Sequence, residues 1–157
     1  MTATASVPAA IAVTNLLGRY AECIDTGDFE AAAALFADAT LKVGVNPDGP
    51  ATVDAGGILE MFRDNVIIYP DGTPRTKHVI TNAIVSVDEA AGTATCRSYY
   101  TVFQQVDDFP LQPIIAGRYH DEFKRTDDTW RWHFRDYSLI DLVGDLSRHS
   151  RVDVRVT

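Results

Sequence analysis

The sequence predicts an α+β fold in which a curved antiparallel sheet wraps around N-terminal helices. Apolar residues recur at helical spacing up to about residue 62, whereas from Arg75 onward the hydrophobic period becomes two. Helices followed by a meander of long strands is a typical α+β arrangement. A chain of 157 residues is long enough to form one such domain with a buried core.

The first helix is expected to begin after Pro8 and to end near Ile24. Its apolar residues form one core-facing stripe, which consists of Val13, Leu17, Tyr20 and Ile24. Gly18 and Ala21 lie on the same strip of helix surface as Asp25. Their small side chains would leave open space over that carboxylate.

Two shorter helices and a strand are predicted next. Asp28 is suited to cap a helix over 29–36, whose run of alanines has high helix propensity. A short strand over 40–45 and a turn over 46–50 follow, and Asp54 is expected to cap a third helix.

The second half of the chain alternates as expected for strands. Four long strands are predicted at roughly 76–87, 93–106, 112–125 and 130–142. We expect a single domain over 1–157, with residues 1–8 disordered and residues 144–157 forming a C-terminal extension, either partly ordered or an interface arm.

Composition and charge exclude several classes of partner. The net charge of −8 argues against nucleic acid, whose phosphates need a basic surface. No apolar run approaches the roughly 20 residues of a membrane span, and the first residues lack the features of a signal peptide. The two cysteines share no motif spacing, so a cytoplasmic protein with reduced thiols is expected.

Asp25 and His78 are the first candidates for a functional site. Asp25 falls at a helix end, where the helix dipole disfavours an acid, although turn chemistry also explains an aspartate there. His78 shares a predicted strand face with Ile80, Asn82 and Ile84. Such a mixed face suits the wall of an apolar cavity that contains a few polar groups. The alternative is that this face meets solvent and His78 has no role in a site. If the two side chains meet, the acid can orient the imidazole for proton transfer.

Other chemistries lack a motif in this sequence. The four histidines show no metal-site spacing, no serine lies in a nucleophile elbow, and no glycine-rich phosphate loop is present. We therefore expect neither a metal nor another cofactor.

Several segments in order resemble the SnoaL-like family of the nuclear transport factor 2-like (NTF2-like) superfamily, whose fold is a cone-shaped α+β domain. The matching segments are Tyr20-x-x-x-x-Asp25-x-Gly27-Asp28-Phe29, Leu35-Phe36-Ala37-Asp38, His78-Val-Ile-Thr-Asn82, Ala116-Gly-Arg-Tyr-His-Asp-Glu-Phe123 and Trp130-Arg-Trp-x-x-Arg135. The pattern is nearest to scytalone dehydratase, bile-acid 7α-dehydratase and hexachlorocyclohexane dehydrochlorinase.

The resemblance implies roles for particular residues. A pocket histidine acts as the base in those enzymes, an aspartate from the first helix orients it, and a tyrosine often assists. These roles fall on His78, Asp25 and Tyr20. Substrate contacts are expected from Asn82, Tyr100, Tyr119 and Arg135.

Two departures from those enzymes bear on the site. Where they carry a second polar group on the next strand, this chain has Tyr99 and Tyr100. Simple alternation turns Arg135 outward with Arg131 and His133, so Arg135 faces the pocket only if a bulge intervenes.

The functional expectation is a lyase-type, dehydratase-like enzyme acting on a small, largely apolar substrate such as a polyketide, steroid or terpenoid. One alternative is an isomerase or cyclase that uses the same proton chemistry without loss of water, in which Asp25 could replace His78 as the base. Another is a non-catalytic ligand-binding module, or an accessory protein like a dioxygenase β subunit. A homodimer is expected through the outer face of the strand meander, which is expected to carry Tyr99, Phe103, Tyr119 and Trp132.

Overall fold

The computed structural model describes residues 7–44 and 49–154. The helices are α1 (Ala9–Asp25), α2 (Phe29–Ala34) and α3 (Ala55–Asn65). The strands are β1 (Thr40–Val43), β2 (Ala51–Val53), β3 (Thr76–Asp88), β4 (Thr93–Val106), β5 (Phe109–Thr126), β6 (Thr129–Asp136) and β7 (Ile140–Val143). Most of the expected disorder over 1–8, part of the expected turn over 46–50 and the last three residues of the extension lie outside the described residues. Among the described helices, none is long and apolar enough to cross a membrane.

Helix α1 has the predicted core-facing stripe. Its buried residues are Val13, Leu17, Tyr20 and Ile24. The chain turns after α1 through Gly27, which has a φ of 78°. Its backbone lies so close to Gly72 that an added Cβ would overlap the Gly72 carbonyl oxygen. Glycine is therefore required at this turn, which holds the carboxyl end of α1 in place.

Helices α2 and α3 begin at the two predicted caps. The Asp28 carboxylate accepts a hydrogen bond from the backbone N–H of Ala31 at 3.0 Å. The Asp54 carboxylate accepts one from the backbone N–H of Gly57 at 2.9 Å. Each cap satisfies one of the free N–H groups at a helix start, as expected from the sequence.

The sheet has the strand order β2-β1-β6-β5-β4-β3, and β7 pairs with β5. Strands β3 to β6 form the predicted antiparallel meander, whereas β1 runs parallel to β6. The sheet is curved and does not close, and helix α1 packs against β3. Strand β2 was not predicted, because its three residues follow directly on a stretch rich in turn residues.

The predicted fourth strand over 130–142 is interrupted, which corrects the sequence-based expectation. Strand β6 ends because the Asp136 carboxylate accepts hydrogen bonds from the Ser138 backbone and hydroxyl, forming a local turn. The Tyr137 backbone N–H then donates to the Lys42 carbonyl at 2.7 Å. The chain returns to β5 as the separate strand β7.

In strands β3 and β6, β-bulges change which side chains face inward. In β3 the register shifts between Thr81 and Ile84, around Asn82 with a φ of 55°. Beyond this bulge, residues expected to point inward point outward, and Ile84 is 58% exposed. The predicted face shared by His78, Ile80, Asn82 and Ile84 is therefore correct only as far as Ile80.

A second bulge lies in β6. Glu122 pairs with Phe134 and Phe123 pairs with Trp132, which leaves His133 as the extra residue. This bulge turns Arg135 to the inside of the sheet. From the sequence, an inward Arg135 is expected only if such a bulge intervenes.

The core lies between the helices and the concave face of the sheet. Phe36 packs on Trp132 with ring centroids 4.9 Å apart, and Phe123 packs on Trp132 at 5.2 Å. Tyr119 and Trp132 are only 3% and 1% exposed. Their expected placement on the outer face was therefore wrong, whereas Tyr99 does lie outside at 53% exposed.

Candidate active site

The Asp25 carboxylate and the His78 side chain are in direct contact. Asp25 Oδ1 lies 2.7 Å from His78 Nδ1, and Asp25 Oδ2 accepts a hydrogen bond from the His78 backbone N–H at 2.8 Å. The Thr76 hydroxyl donates to Asp25 Oδ1 at 2.8 Å. The last residue of α1 is thereby joined to the inward-facing residues at the start of β3.

This arrangement sets the charge and tautomer of the pair. Burial opposes ionisation of Asp25, but the hydrogen bonds and charge of His78, with the Thr76 hydroxyl, hold its pKa below the ordinary value. An ionised carboxylate only accepts hydrogen bonds, so His78 Nδ1 carries the proton. His78 Nε2 is then the ring nitrogen available to a bound molecule.

His78 lines a cavity of about 200 Å³ between the helices, the sheet and the C-terminal segment. Most of its other lining side chains are apolar or aromatic, and these include Ile24, Ile58, Met61, Phe62, Val66, Val102, Ile115, Ile140, Leu146 and Val152. A mostly apolar cavity with a few polar groups is typical of a small-molecule site.

Tyrosines form one wall of this cavity. Tyr20, Tyr100, Tyr119 and Tyr137 all line it. Tyr100 stacks on Tyr119 with centroids 4.4 Å apart, and Tyr20 packs edge-on against the His78 ring at 6.2 Å. Burial raises the pKa of all four phenols, so they are neutral hydrogen-bond donors near pH 7.

Arg135 lies beneath the tyrosines and does not line the cavity, which corrects its expected role in substrate binding. Its guanidinium is fully buried and binds the Asp121 carboxylate at 2.7 and 2.9 Å. Burial opposes its charge, but Asp121 holds the pKa of Arg135 well above the ordinary value. The guanidinium carbon lies 4.0 Å from the Tyr119 ring centroid and 4.6 Å from that of Tyr20, so cation–π contacts support the tyrosine wall.

Asn82 also departs from its expected role. It lies exposed at the β3 bulge and is not among the cavity-lining residues. Tyr100 and Tyr119, by contrast, line the cavity, as their expected role in substrate binding requires. Their contact with a substrate stays a prediction.

A second cavity of similar volume lies on the other side of His78, between α1 and β3. It has a volume of about 220 Å³ and is lined by Gly18, Ala21, His78, Ile80 and Ala83, among others. An added Cβ on Gly18 would meet nothing within 4 Å. The small residues of α1 therefore leave open space next to the Asp25–His78 pair, as the sequence indicated.

His149 is a site residue that sequence reasoning missed, as is Tyr137 of the tyrosine wall. His149 lines the main cavity from the C-terminal segment, close enough to His78 and Asp25 for their charges to affect its pKa. No periodicity in that segment indicated a buried position. In the described part of the chain, no group of three or more His, Cys, Asp or Glu side chains is arranged to hold a metal ion.

A curved, unclosed sheet wrapped around N-terminal helices over an apolar cavity defines an NTF2-like α+β protein. The model of the SnoaL-like domain matches residues 5–136, so the chain belongs to the SnoaL-like family of that superfamily. No curated protein matches the chain at a significant level.

Solved structures share the fold at low sequence identity. A proposed scytalone dehydratase from Novosphingobium aromaticivorans has a TM-score of 0.65 and 20% identity over 93% of this chain and 89% of its own. The β subunit of a proposed aromatic-ring-hydroxylating dioxygenase from the same organism has a TM-score of 0.65 and 22% identity, over 85% and 90% of the two chains. A protein of unknown function with a cystatin-like fold, from Nostoc punctiforme, has a TM-score of 0.64 and 21% identity over 87% and 95%.

Proposed function

We propose that this protein is a cofactor-independent acid–base enzyme of the dehydratase type. The observation that carries the proposal is the Asp25–His78 contact of 2.7 Å in the wall of an apolar cavity. Most residues that line the cavity are uncharged. A proton donor or acceptor in its wall therefore acts on the carbon of a bound molecule that lies next to it.

His78 is the base in this proposal. With Nδ1 donating to Asp25, the lone pair on Nε2 removes a proton from a carbon next to a carbonyl group. The C–H electron pair becomes the new double bond, and the C–O pair leaves with the β-hydroxyl. The proton taken up by His78 completes the departing water molecule, and the ionised Asp25 stabilises the transient imidazolium.

The tyrosine wall supplies hydrogen bonds. Tyr20 or Tyr100 is placed to donate to the departing hydroxyl or to the oxygen of the developing enolate, since both line the same cavity as His78. Both phenols stay protonated because burial raises their pKa.

The size of the cavity limits the substrate. Its volume of about 200 Å³ lies below the roughly 300–1,000 Å³ of most ligand pockets. We therefore favour an oxygenated compound of one or two rings over a steroid.

Isomerisation or cyclisation is the second candidate, because it needs the same proton abstraction. In that reaction Asp25 could be the base, but both its oxygens already accept hydrogen bonds from Thr76 and His78. These bonds favour His78 as the base in either reaction.

The accessory-subunit alternative is favoured only by fold similarity to a dioxygenase β subunit. A cavity filled by Tyr99, Tyr100 or Phe103 would have suited that role. Tyr99 is 53% exposed on the outer face, and Tyr100 forms part of the wall of an open cavity. The enzyme is therefore the better supported proposal.

Solvent-deuterium exchange tests proton abstraction even while the product is unidentified. A panel of one- and two-ring β-hydroxyketones and their ketone parents would be incubated in D₂O with the protein. We expect deuterium at the α-carbon, and loss of water from the hydroxyketones by mass spectrometry. His120→Ala, an exposed histidine on β5, is the matched control and should behave as wild type. Exchange no faster than in buffer for the whole panel would contradict the proposal.

A further inference from the structure

The C-terminal segment, residues 144–154, forms one side of the cavity. Leu146, His149, Ser150 and Val152 of this segment all line it. The family match ends at residue 136, so the segment lies beyond the part of the chain shared with the SnoaL-like model. It therefore adds side chains to the site that the family pattern does not supply.

A buried strand residue anchors this segment just before His149. Gln104 of β4 is 1% exposed, and its amide donates to the Arg148 carbonyl at 2.9 Å and to the Pro74 carbonyl at 3.0 Å. The Tyr69 hydroxyl donates to the same Arg148 carbonyl at 2.6 Å. Two donors from separate parts of the fold thus bond to one carbonyl oxygen.

Backbone hydrogen bonds hold the segment at His149 and beyond. The Ile67 N–H donates to the His149 carbonyl at 2.8 Å, and the Arg151 N–H donates to the Asn65 carbonyl at 2.8 Å. The Arg151 guanidinium also donates to the Val66 carbonyl at 2.7 Å. The backbone on both sides of His149 is therefore fixed against the end of α3, which places its imidazole at the cavity.

The imidazole itself lacks a partner. Nδ1 of His149 is buried and has no hydrogen-bond partner within the described residues. Burial and the nearby His78 lower the pKa of His149 to about 4, so the ring is neutral near pH 7. Because Nδ1 is closed off from solvent, the ring nitrogen that a ligand in the cavity can reach is Nε2, for which the described residues provide no hydrogen bond.

We propose that His149 is a substrate-binding residue, whose imidazole forms a hydrogen bond with a carbonyl or hydroxyl oxygen of the substrate while His78 faces the carbon that loses its proton. The inference rests on the proposed function for the identity of that carbon. The substrate class is accordingly a compact carbonyl compound whose oxygen is recognised by a neutral histidine.

A neutral imidazole suits this role. It can donate an N–H to an oxygen that gains negative charge as an enolate forms, without competing with His78 for a proton. Two protonated histidines so close together would repel each other, which is consistent with the lowered pKa of His149. No bond is made or broken at His149 in this proposal.

Two shape-matched probes test the contact, 2-naphthol and 2-methylnaphthalene, which differ by a hydroxyl in place of a methyl group. Their dissociation constants would be measured by fluorescence titration with wild type, His149→Phe and the control His120→Phe. We expect wild type and the control to bind 2-naphthol about tenfold more tightly than 2-methylnaphthalene. One good hydrogen bond changes a dissociation constant by about this factor. In His149→Phe the two constants should agree within about twofold, because phenylalanine keeps the ring but has no nitrogen.

The outcomes separate this inference from the proposed function. A tenfold ratio retained in His149→Phe, or no preference or no binding in wild type, overturns the role of His149. If the ratio is lost in His149→Phe but wild type shows no deuterium exchange, His149 is upheld as a ligand-binding residue and the proposed enzymatic function is contradicted. A melting temperature of His149→Phe within a few degrees of wild type ensures that the comparison is made on folded protein.

Discussion

At the scale of single residues, the carboxylate of Asp25 joins two elements that are far apart in sequence. It accepts hydrogen bonds from Thr76 and from both the backbone and the ring of His78, which lies 53 residues further along the chain. Three donors hold the carboxylate in one orientation. An imidazole bound in this way keeps one tautomer, which a general base requires.

His149 gives a prediction for the pH dependence of stability. In the unfolded chain it takes up a proton near its ordinary pKa of about 6.5, whereas in the folded protein its pKa is about 4. Between these values the unfolded state binds more protons, so the stability contribution is complete above pH 6.5 and falls as the pH is lowered toward 4. At pH 5 the loss from this residue should be about 2 kcal/mol relative to pH 7.5.

Urea unfolding at pH 7.5 and pH 5 checks this expectation. Wild type should lose more unfolding free energy than His149→Phe, which has no group to titrate at this position. The control His120→Phe should follow wild type, because His120 is exposed. The same pH dependence in His149→Phe and wild type would show that His149 is not buried as a neutral group.

Sequence reasoning about individual residues succeeded where local pattern sets the side-chain direction. The sequence correctly predicted that Asp25 lies at the end of α1 and that His78 lies on an inward face at the start of β3. It failed for Asn82, because a bulge with positive φ interrupts the alternation there. His149 could not be predicted, because only contacts with distant residues such as Gln104 bring that segment to the cavity.

At the scale of elements, the C-terminal segment depends on strand β4. The Gln104 amide is the buried donor to the Arg148 carbonyl, next to the residue that lines the cavity. Replacing Gln104 with leucine keeps much of the volume but removes both donated hydrogen bonds. The segment should then open more often, while the sheet keeps its packing.

Hydrogen–deuterium exchange provides the measurement for this element. In Gln104→Leu, we expect exchange over residues 146–152 to rise about tenfold, with little change in β4 and β5. Gln112→Leu is the matched control, because the Gln112 side-chain amide donates to the nearby Pro110 carbonyl and, among the described residues, not to the C-terminal segment. Unchanged exchange in Gln104→Leu would show that the segment is held by its backbone contacts alone.

The sheet shows which element features a sequence can predict. Regular alternation in β4 and the two aspartate caps were predicted, because both follow from local chemistry. The break after Asp136 was not predicted. Although the Asp136–Ser138 turn is local, the path of the chain from β6 to β7 also depends on the hydrogen bond from the Tyr137 backbone to Lys42 of β1, which is far away in sequence.

At the scale of the whole molecule, the outer face of the sheet carries the exposed apolar residues Val79, Tyr99 and Leu142. Val79 pairs with Thr101, Thr101 with Ala116, and Ala116 with Leu142, in a line across four strands. Val79 is 42% exposed and Leu142 69% exposed. The adjoining Tyr99 extends this surface, and exposed apolar patches often mark contacts between proteins.

We expect two copies of the chain to pair through this face. Light scattering should give a mass twice the 17.2 kDa of one chain at micromolar concentration. Tyr99→Glu combined with Leu142→Asp should give a monomer, because burying two charges in the interface is costly. Leu111→Asp is the control, since Leu111 is 66% exposed but lies at the β4–β5 hairpin. A monomeric wild type would contradict the expected homodimer.

The acid–base role of the Asp25–His78 pair is tested most directly by turnover in a double-mutant comparison. With a substrate identified by deuterium exchange, kcat/KM would be measured for wild type, His78→Ala, Asp25→Asn and the double variant. We predict a loss of at least a hundredfold in each single variant, within the roughly 10²–10⁴-fold range for loss of a general base. The double variant should lose little more than the worse single one, because residues that act as a unit are not additive. Full activity in His78→Ala alone would move the base to Asp25, and full activity in both single variants would contradict the account.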